Sequence, residues 1–254
     1  MSPPDPVSAL AQLLRTTPSQ PLVTFHDGST GERVELSTIT VDNWVSKVAN
    51  LVAGDLGLDP GATFAVELPA HWQTAVTVLG GWAAGLSLTS PETDVDLRIV
   101  GPDALDSAVD GPRAGEVVAS ALRPLGGRFQ RPLPAGWLDF ALEVPPQPDV
   151  LLEPRQVADP ATTLPQPRSP LSLMRDAAVA ADALGLRAGG RLLTDLNPAT
   201  EDGLVRGLCA CLAVGASLVL VAGADPAVVD RIAEQERATC RAWTVPEGPD
   251  QPTR

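Results

Sequence analysis

Apolar and polar positions between residues 51 and 90 follow a pattern that predicts a strand, a helix and a second strand. Residues 62–68 alternate as in a half-buried strand, and Pro69 ends the run. Apolar residues then recur at the helical spacings of three and four, at Trp72, Val76, Leu79 and Trp82. Residues 86–88 follow as a short strand. This order within about 25 residues favours a βαβ unit in a parallel sheet.

The same order of signals returns about 130 residues later. Leu184-Gly185-Leu186 matches Leu56-Gly57-Leu58, and Gly215-Ala216-Ser217-Leu218 matches Gly85-Leu86-Ser87-Leu88 after a two-residue insertion. The second strand, helix and strand are predicted at residues 192–196, 204–212 and 218–221. An internal repeat of this length predicts two similar half-domains. The predicted fold class is α/β, with two pseudo-symmetric βαβ lobes and mainly parallel sheets.

The remaining segments complete the predicted organisation. Asp27-Gly28, between two β-prone runs, predicts an N-terminal hairpin. Further helices are predicted at residues 7–14, 41–52, 115–122, 171–181 and 227–236, and further strands at 97–100, 137–144 and 239–245. Residues 145–170 contain eight prolines and no glycine, which predicts a loop. We therefore divide the chain into a first lobe with the hairpin, a Pro-rich loop, a second lobe and a tail, at residues 1–150, 151–170, 171–246 and 247–254.

Composition excludes several classes of partner. The chain has 254 residues, 44% of them hydrophobic, and a net charge of −13. This charge disfavours binding to nucleic acid and to anionic membrane surfaces. The long uncharged stretches, residues 68–91 and 207–224, each contain an internal glycine where a helical pattern gives way to a strand pattern, so neither is expected to span a membrane. No signal peptide is predicted, and we expect a cytoplasmic protein.

Lysine and cysteine counts limit the chemistry further. Lys47 is the only lysine, so no mechanism can use a lysine after this position. The three cysteines are too few for a disulfide framework, and no second Cys/His pair completes a zinc site. We therefore predict no metal centre.

Several collinear motifs carry a resemblance to a known family. They are Gly31-Glu32-Arg33-Val34-Glu35-Leu36-Ser37, Leu56-Gly57-Leu58-Asp59-Pro60-Gly61, Val66-Glu67-Leu68-Pro69, Trp82-Ala83-Ala84-Gly85, Cys211-Leu212-Ala213-Val214-Gly215-Ala216 and Glu234-Gln235-Glu236-Arg237-Ala238-Thr239. With them the chain resembles the front part of the large N-terminal domain of the adenylate-forming acyl-CoA synthetases, the AMP-binding superfamily. These motifs belong to the fold, so they support architecture more than activity.

The resemblance implies an activity that the residues do not support. Members of the family activate a carboxylic acid with ATP and commonly pass the acyl group to coenzyme A. Their phosphate loop, rich in Ser, Thr and Gly and ending in lysine, corresponds here to residues 161–170, which contain prolines and neither glycine nor lysine. Proline removes the N–H donors that such a loop needs. Thr162 and Thr163 are at most remnants of it, and the family's acyl pocket, adenine and ribose motifs and C-terminal catalytic lysine have no matching positions, so we expect a truncated relative.

Two histidines and two serines are candidates for catalysis. His71 begins a predicted helix and could act as an acid or base, but no nucleophile motif accompanies it, so a structural histidine is the alternative. His26, beside the hairpin turn, is a weaker candidate. Ser87 and Ser217 lack the Gly-x-Ser-x-Gly elbow and are expected to be packing positions.

Three further groups could bind ions. Glu92, Asp94 and Asp96 could share a cation, although without a calcium-loop glycine a solvated loop is the preferred interpretation. The residues before Pro226 could bind an anion, but Asp225 is expected to cap the helix instead. Cys209 and Cys211, two apart on a helix, are not expected to share a metal.

The sequence leads to one main hypothesis and two alternatives. The main one is a non-catalytic protein, without catalytic residues or cofactor, that binds a protein partner or an acyl-like small molecule. Homodimerisation is the simplest partnership. The first alternative is one half of a split ATP-dependent acyl-activating ligase that a second chain completes, and the second is an unrelated α/β enzyme that uses His71.

Overall fold

The computed structural model describes residues 5–107, 113–153 and 157–244. Its strands are β1 (Pro21–Asp27), β2 (Arg33–Ser37), β3 (Thr63–Glu67), β4 (Ser87–Leu88), β5 (Val95–Val100), β6 (Ala114–Ala119), β7 (Trp137–Asp139), β8 (Arg191–Thr194), β9 (Ser217–Ala222) and β10 (Cys240–Ala242). Its α-helices are α1 (Pro6–Thr16), α2 (Thr38–Asn50), α3 (Trp72–Ala83), α4 (Ala104–Ser107), α5 (Phe140–Glu143), α6 (Pro170–Ala183), α7 (Cys209–Val214) and α8 (Pro226–Gln235). Two π-helical turns extend these helices: Leu51–Asp55 continues α2, and Gly203–Leu208 leads into α7.

The strands form two five-stranded sheets. The first sheet has the order β4-β3-β5-β6-β7, and every pair in it is parallel. The second sheet has the order β10-β8-β9-β1-β2, and only the hairpin pair β1–β2 is antiparallel. The predicted α/β class with mainly parallel sheets is therefore confirmed.

Helices pack between the two sheets and hold them together. Every residue of α3 is buried, which explains why this helix carries no charge. A Cβ at Gly80 would lie 2.5 Å from Val48 of α2, and a Cβ at Gly81 would lie 2.5 Å from the ring of Phe64 in β3. The two glycines therefore let α3 approach a helix on one side and a strand on the other. The other face of the second sheet is covered by α8, through Leu193, Val219, Val221, Ile232 and Ala233.

Matching hydrogen bonds close the two βαβ units. In the first unit, β3–α3–β4, the Gly61 N–H donates to the Gly85 carbonyl at 2.8 Å. In the second unit, β8–α7–β9, the Gly189 N–H donates to the Gly215 carbonyl at the same distance. The strand registers also match, since Thr63 lies beside Ser87 and Arg191 beside Ser217.

Three expectations differ from the structure. Residues 115–122 are not a helix: β6 occupies Ala114–Ala119, because pairing with β5 outweighs a weak local pattern. Residues 137–144 form the short strand β7 followed by α5 rather than one strand. The hairpin, assigned to the lobe of residues 1–150, joins the second sheet through β1 and β9, so the sheets do not follow that division.

The other expectations concern loops and ends. The described part of residues 145–169 contains no helix or strand, as predicted, and α6 begins at Pro170. The last predicted strand is the shorter β10, and its predicted end at residue 245 and the tail at 247–254 lie outside the described residues. Within the described ranges, no helix has both the length and the apolar character needed to cross a bilayer.

Candidate functional site

A crevice opens at the carboxyl ends of the strands of the second sheet. From β8 the chain crosses to β9 on one side and later returns to β10 on the other side, so the strand order reverses at β8. Ligands of α/β sheets bind at such switch points. The crevice has a volume of about 520 Å³, within the range of small-molecule sites. Its wall combines apolar residues, among them Val221, Val229 and Trp243, with the charged residues Asp195, Asp230 and Arg241.

The charged groups of the crevice have hydrogen-bond or ionic partners inside the protein. Asp195, directly after β8, accepts hydrogen bonds from the Thr244 N–H at 2.7 Å and from its hydroxyl at 3.1 Å. Arg241 donates to Asp230 at 2.7 Å. The crevice can therefore take an apolar group beside one ion pair and one hydrogen-bonded carboxylate, that of Asp195, which no cation neutralises among the described residues.

The loop after β9 forms one rim of the crevice. Asp225 caps α8 by accepting a hydrogen bond from the Val228 N–H at 2.9 Å, which confirms the predicted cap and leaves fewer donors for an anion. The loop packs tightly on the hairpin, since a Cβ at Gly28 would lie 2.5 Å from Ala224.

His71 is buried where the two sheets meet. It caps α3: its Nδ1 accepts a hydrogen bond from the Gln73 N–H at 3.1 Å. Its ring contacts Phe25 edge-on at 4.3 Å, and its Nε2 has no hydrogen-bond partner among the described residues. Burial lowers the pKa of His71 to about 4, although the charge of Asp27 acts in the opposite direction. At neutral pH this imidazole is uncharged and buried.

His26 belongs to a buried ionic cluster on the α8 side of the second sheet. Its Nε2 donates to Glu236 at 2.8 Å, and Glu236 also accepts from Arg33 at 2.8 Å and Arg191 at 2.7 Å. Burial alone would raise the pKa of Glu236, but the hydrogen bonds from Arg33 and His26 and the nearby arginine charges lower it overall. The cluster ties α8 to β1, β2 and β8, so His26 has a structural partner.

The segment at the phosphate-loop position, residues 161–170, runs along β4 and is locked to it. The N–H of Thr163 donates to the Leu88 carbonyl at 2.9 Å, and the N–H of Arg168 donates to the Thr162 carbonyl at 2.8 Å. The indole of Trp82 donates to the Ala161 carbonyl at 2.7 Å. With the N–H groups of Ala161 and Leu164, four backbone donors of this segment are used inside the protein.

Lys47 is also engaged. Its ammonium group donates to the Pro145 carbonyl at 2.8 Å and pairs with Asp149 at 3.0 Å. It therefore fastens the start of the Pro-rich loop to α2 and does not reach the crevice.

Three of the remaining candidates, Asp94, Asp96 and Ser217, have separate structural partners. Asp96 accepts from the Thr63 N–H at 2.7 Å, and Asp94 accepts from the Arg113 N–H at 2.7 Å. The Ser217 hydroxyl donates to the Pro21 carbonyl at 2.6 Å, whereas Ser87 is buried. Burial raises the pKa of the Cys209 and Cys211 thiols, and no group of metal ligands occurs within the described residues.

The crevice residues Asp195 and Trp243 were not predicted as a site. Both fall inside strands that the sequence pattern predicted, at residues 192–196 and 239–245, and they directly follow the shorter observed strands β8 and β10. The rule that ligands bind at carboxyl ends next to a switch point could have identified them, but only once the strand order was known.

Solved structures with the same fold come from adenylate-forming enzymes. An acyl-CoA synthetase of Brucella canis matches with a TM-score of 0.74 and 18% identity, over 94% of this chain and 47% of that chain. MbtA of Mycobacterium smegmatis matches with 0.71 and 20%, over 93% and 47%. The anthranilate CoA ligase AuaEII, in complex with anthranoyl-AMP, matches with 0.70 and 17%, over 92% and 48%. The chain thus spans about half the length of each structure and has the fold of acyl-CoA synthetase N-terminal domains, which confirms the predicted resemblance.

A closer relative is known by sequence. No model of a known protein family matches the chain. A Mycobacterium tuberculosis protein described as a TIGR03089 family protein is 38% identical over 234 residues, which cover 91% of this chain and 94% of the relative. The chain belongs to the TIGR03089 protein family.

Proposed function

We propose that this protein is a non-catalytic relative of the adenylate-forming enzymes and that it binds an acyl-like small molecule in the crevice of the second sheet. The observation that carries the proposal is the crevice itself: a pocket of about 520 Å³ at a switch point, with Val221, Val229 and Trp243 in its wall and with Arg241 paired to Asp230. Such a pocket offers affinity for an apolar group, and its lining residues in the described part of the chain include no Ser, Cys, Lys or His.

The segment at residues 161–170 supports the non-catalytic part of the proposal, because it does not fit the phosphates of ATP. A phosphate cradle needs backbone N–H groups that point at the ligand. Here four of these donors bind protein oxygens, and prolines at positions 165, 167 and 170 have none. Arg168 supplies positive charge, but its guanidinium pairs with Asp176 and Glu201.

The titratable groups support the same interpretation. His71 is neutral and buried at the start of α3, and Lys47 holds the Pro-rich loop. Neither group lines the crevice.

Thermal unfolding of the purified chain with and without ligands tests the proposal. A ligand at about 100 times its Kd should stabilise the fold by about 2.7 kcal/mol, a shift of a few degrees in Tm. We expect this shift with some members of a panel of acyl compounds and no shift with Mg-ATP or AMP. Trp243→Ala should abolish the acyl shift. Val179→Ala, which removes an exposed side chain from α6, should retain it.

The outcomes separate the two parts of the proposal. A shift with ATP or AMP would overturn the non-catalytic part, and pyrophosphate exchange after addition of a second chain would then favour the split ligase. Absence of a shift across the whole acyl panel would overturn the acyl-binding part.

A further inference from the structure

A second cavity lies beside β7, an edge strand of the first sheet. Its volume is about 800 Å³, and none of its lining residues also lines the crevice. Three arginines line it, at positions 123, 128 and 131. An apolar wall faces them, formed by Phe129, Leu133, Trp137, Leu138 and Leu142. The cavity thus combines guanidinium groups with an aromatic and aliphatic surface.

The charge of this cavity is opposite to that of the whole molecule. The chain carries 31 acidic and 18 basic residues, yet the segment between Ala119 and Trp137 contains three arginines and no Asp or Glu. The net charge of −13 repels anions from most of the surface. A local group of arginines is therefore where an anionic ligand would be attracted.

Two carboxylates also line the cavity, and one of them accepts hydrogen bonds from backbone N–H groups. Asp139 accepts hydrogen bonds from the Phe129 N–H at 3.1 Å and the Ala141 N–H at 2.9 Å, so it anchors the loop and caps α5. Glu143 is the other. In the described part of the chain, Arg123 and Arg128 form no ion pair with either carboxylate.

One residue of the apolar wall is exposed to solvent and could be covered by a ligand. Leu142 is 51% exposed although it stands beside the half-buried Trp137. The loop that carries the arginines also contains a costly backbone conformation, because Leu122 has φ of 50°. Strain of this kind persists where the surrounding structure fixes it, often beside a ligand.

We propose that this cavity binds a small molecule in which an anionic group, a carboxylate or a phosphate, is joined to an apolar body. The guanidinium forks of Arg123 and Arg128 hold the anionic group, since their planar donors match carboxylate and phosphate oxygens. The apolar body lies on Trp137 and Leu142. This inference goes beyond the proposed function and does not depend on binding at the crevice.

Calorimetric titration with octanoate, octyl phosphate and neutral octanamide tests it. We expect octanoate or octyl phosphate to bind to the intact protein and octanamide to bind at least about tenfold more weakly, because it lacks the charge. The double variant Arg123→Gln/Arg128→Gln should weaken binding of the anion by about tenfold or more. Arg175→Gln on α6 loses one positive charge away from the cavity and should leave binding unchanged.

The comparison with Trp243→Ala separates this site from the crevice. Binding that persists in Trp243→Ala and is lost in the double arginine variant supports the cavity. Binding that is lost in Trp243→Ala and persists in the double variant would assign the ligand to the crevice and overturn this inference while leaving the proposed function intact. Absence of binding of both anionic probes would also overturn it. The tighter of the two probes identifies the head group as carboxylate or phosphate.

Discussion

The two βαβ units share a backbone plan, but their carboxyl edges differ. After β3, the chain enters α3 through buried side chains: His71 caps the helix, and Gln73 accepts a hydrogen bond from Ser120 at 3.1 Å. After β8, Asp195 borders an open crevice, which Trp243 after β10 also lines. The first unit contributes only the small side chain of Ala70 to this crevice, whereas the second contributes the carboxylate of Asp195. Room for a ligand is decided by the residues that follow each strand, not by the unit itself.

The helices of the two units differ as well. Helix α3 is regular and buried along its whole length, whereas α7 is preceded by the π-helical turn Gly203–Leu208. A Cβ at Gly203 would lie 1.7 Å from the Asn197 carbonyl oxygen, so this turn needs glycine. The two-residue insertion of the second unit falls in the same interval, and π-helical turns are often found near functional sites. The irregular unit is the one that borders the crevice.

The largest difference in stability is expected at one matched pair of helix positions, Trp82 and Leu212. Both are buried, but Trp82 is larger and its indole also holds the Ala161 carbonyl. Trp82→Ala should lower the free energy of unfolding by about 4–5 kcal/mol, and Leu212→Ala by about 2–3 kcal/mol. Urea denaturation of the two variants measures both values.

Two further variants control this comparison. Trp82→Phe keeps most of the buried volume and should cost about 1–2 kcal/mol, the part due to the hydrogen bond and the lost ring. Val179→Ala is exposed and should change stability by less than about 0.5 kcal/mol. If Leu212→Ala lowered the free energy of unfolding as much as Trp82→Ala, the hydrogen bond from the Trp82 indole to the Ala161 carbonyl would add no stability to the first unit.

The free energy of unfolding should depend on pH through His71, which lies after β3 in the first unit. Its pKa is about 4 in the folded protein and about 6.5 in the unfolded chain, so only the unfolded chain binds the proton between these values. Stability is therefore complete above about pH 6.5 and falls by up to about 3 kcal/mol as the pH drops towards 4. His71→Asn keeps an N-cap acceptor and removes the titration.

Urea denaturation at pH 7, 5.5 and 4 measures this effect. The difference in unfolding free energy between the native chain and His71→Asn should shift in favour of the variant as the pH falls. Val179→Ala, which removes an exposed side chain without a titratable group, should leave this pH dependence unchanged. An unchanged pH dependence in His71→Asn would mean that water reaches the imidazole in solution.

Much of the fold could be predicted from the sequence, because its signals are local. The alternation in residues 62–68 and the helical stripe from Trp72 to Trp82 predicted a strand and a helix, and the structure confirms both elements, although each is buried on more than one face. Strand β6 was missed since Gly115 and Ala119 give little β signal on their own. The close approach that shapes it is nonlocal: a Cβ at Gly115 would lie 2.9 Å from the Asp96 carbonyl oxygen.

The candidate sites were harder to predict than the helices and strands, because sites depend on contacts between distant parts of the chain. The crevice unites Ala70, Asp195 and Trp243, which are far apart along the chain. Its position depends on β10 pairing with β8, and no local pattern encodes that pairing. The hairpin shows the same limit, because its local turn was predicted and its partner β9 was not.

The smallest expected effect on stability is at Gly61 and Gly189, whose N–H groups make the matching hydrogen bonds of the two units. Replacing each glycine tests whether the two positions are equivalent. Gly61 has φ of 91° and Gly189 has φ of 73°, and a Cβ at either position would have no atom within 4 Å. The cost of Gly→Ala is therefore backbone strain alone, about 1 kcal/mol at each site and about 2 kcal/mol in the double variant. Gly54→Ala, at an ordinary φ and equally unobstructed, should instead stabilise the protein by about 0.5 kcal/mol. Chemical denaturation resolves these values, and costs at Gly61 and Gly189 that differ by more than about 0.5 kcal/mol would show that the shared hydrogen bond does not make the units equivalent.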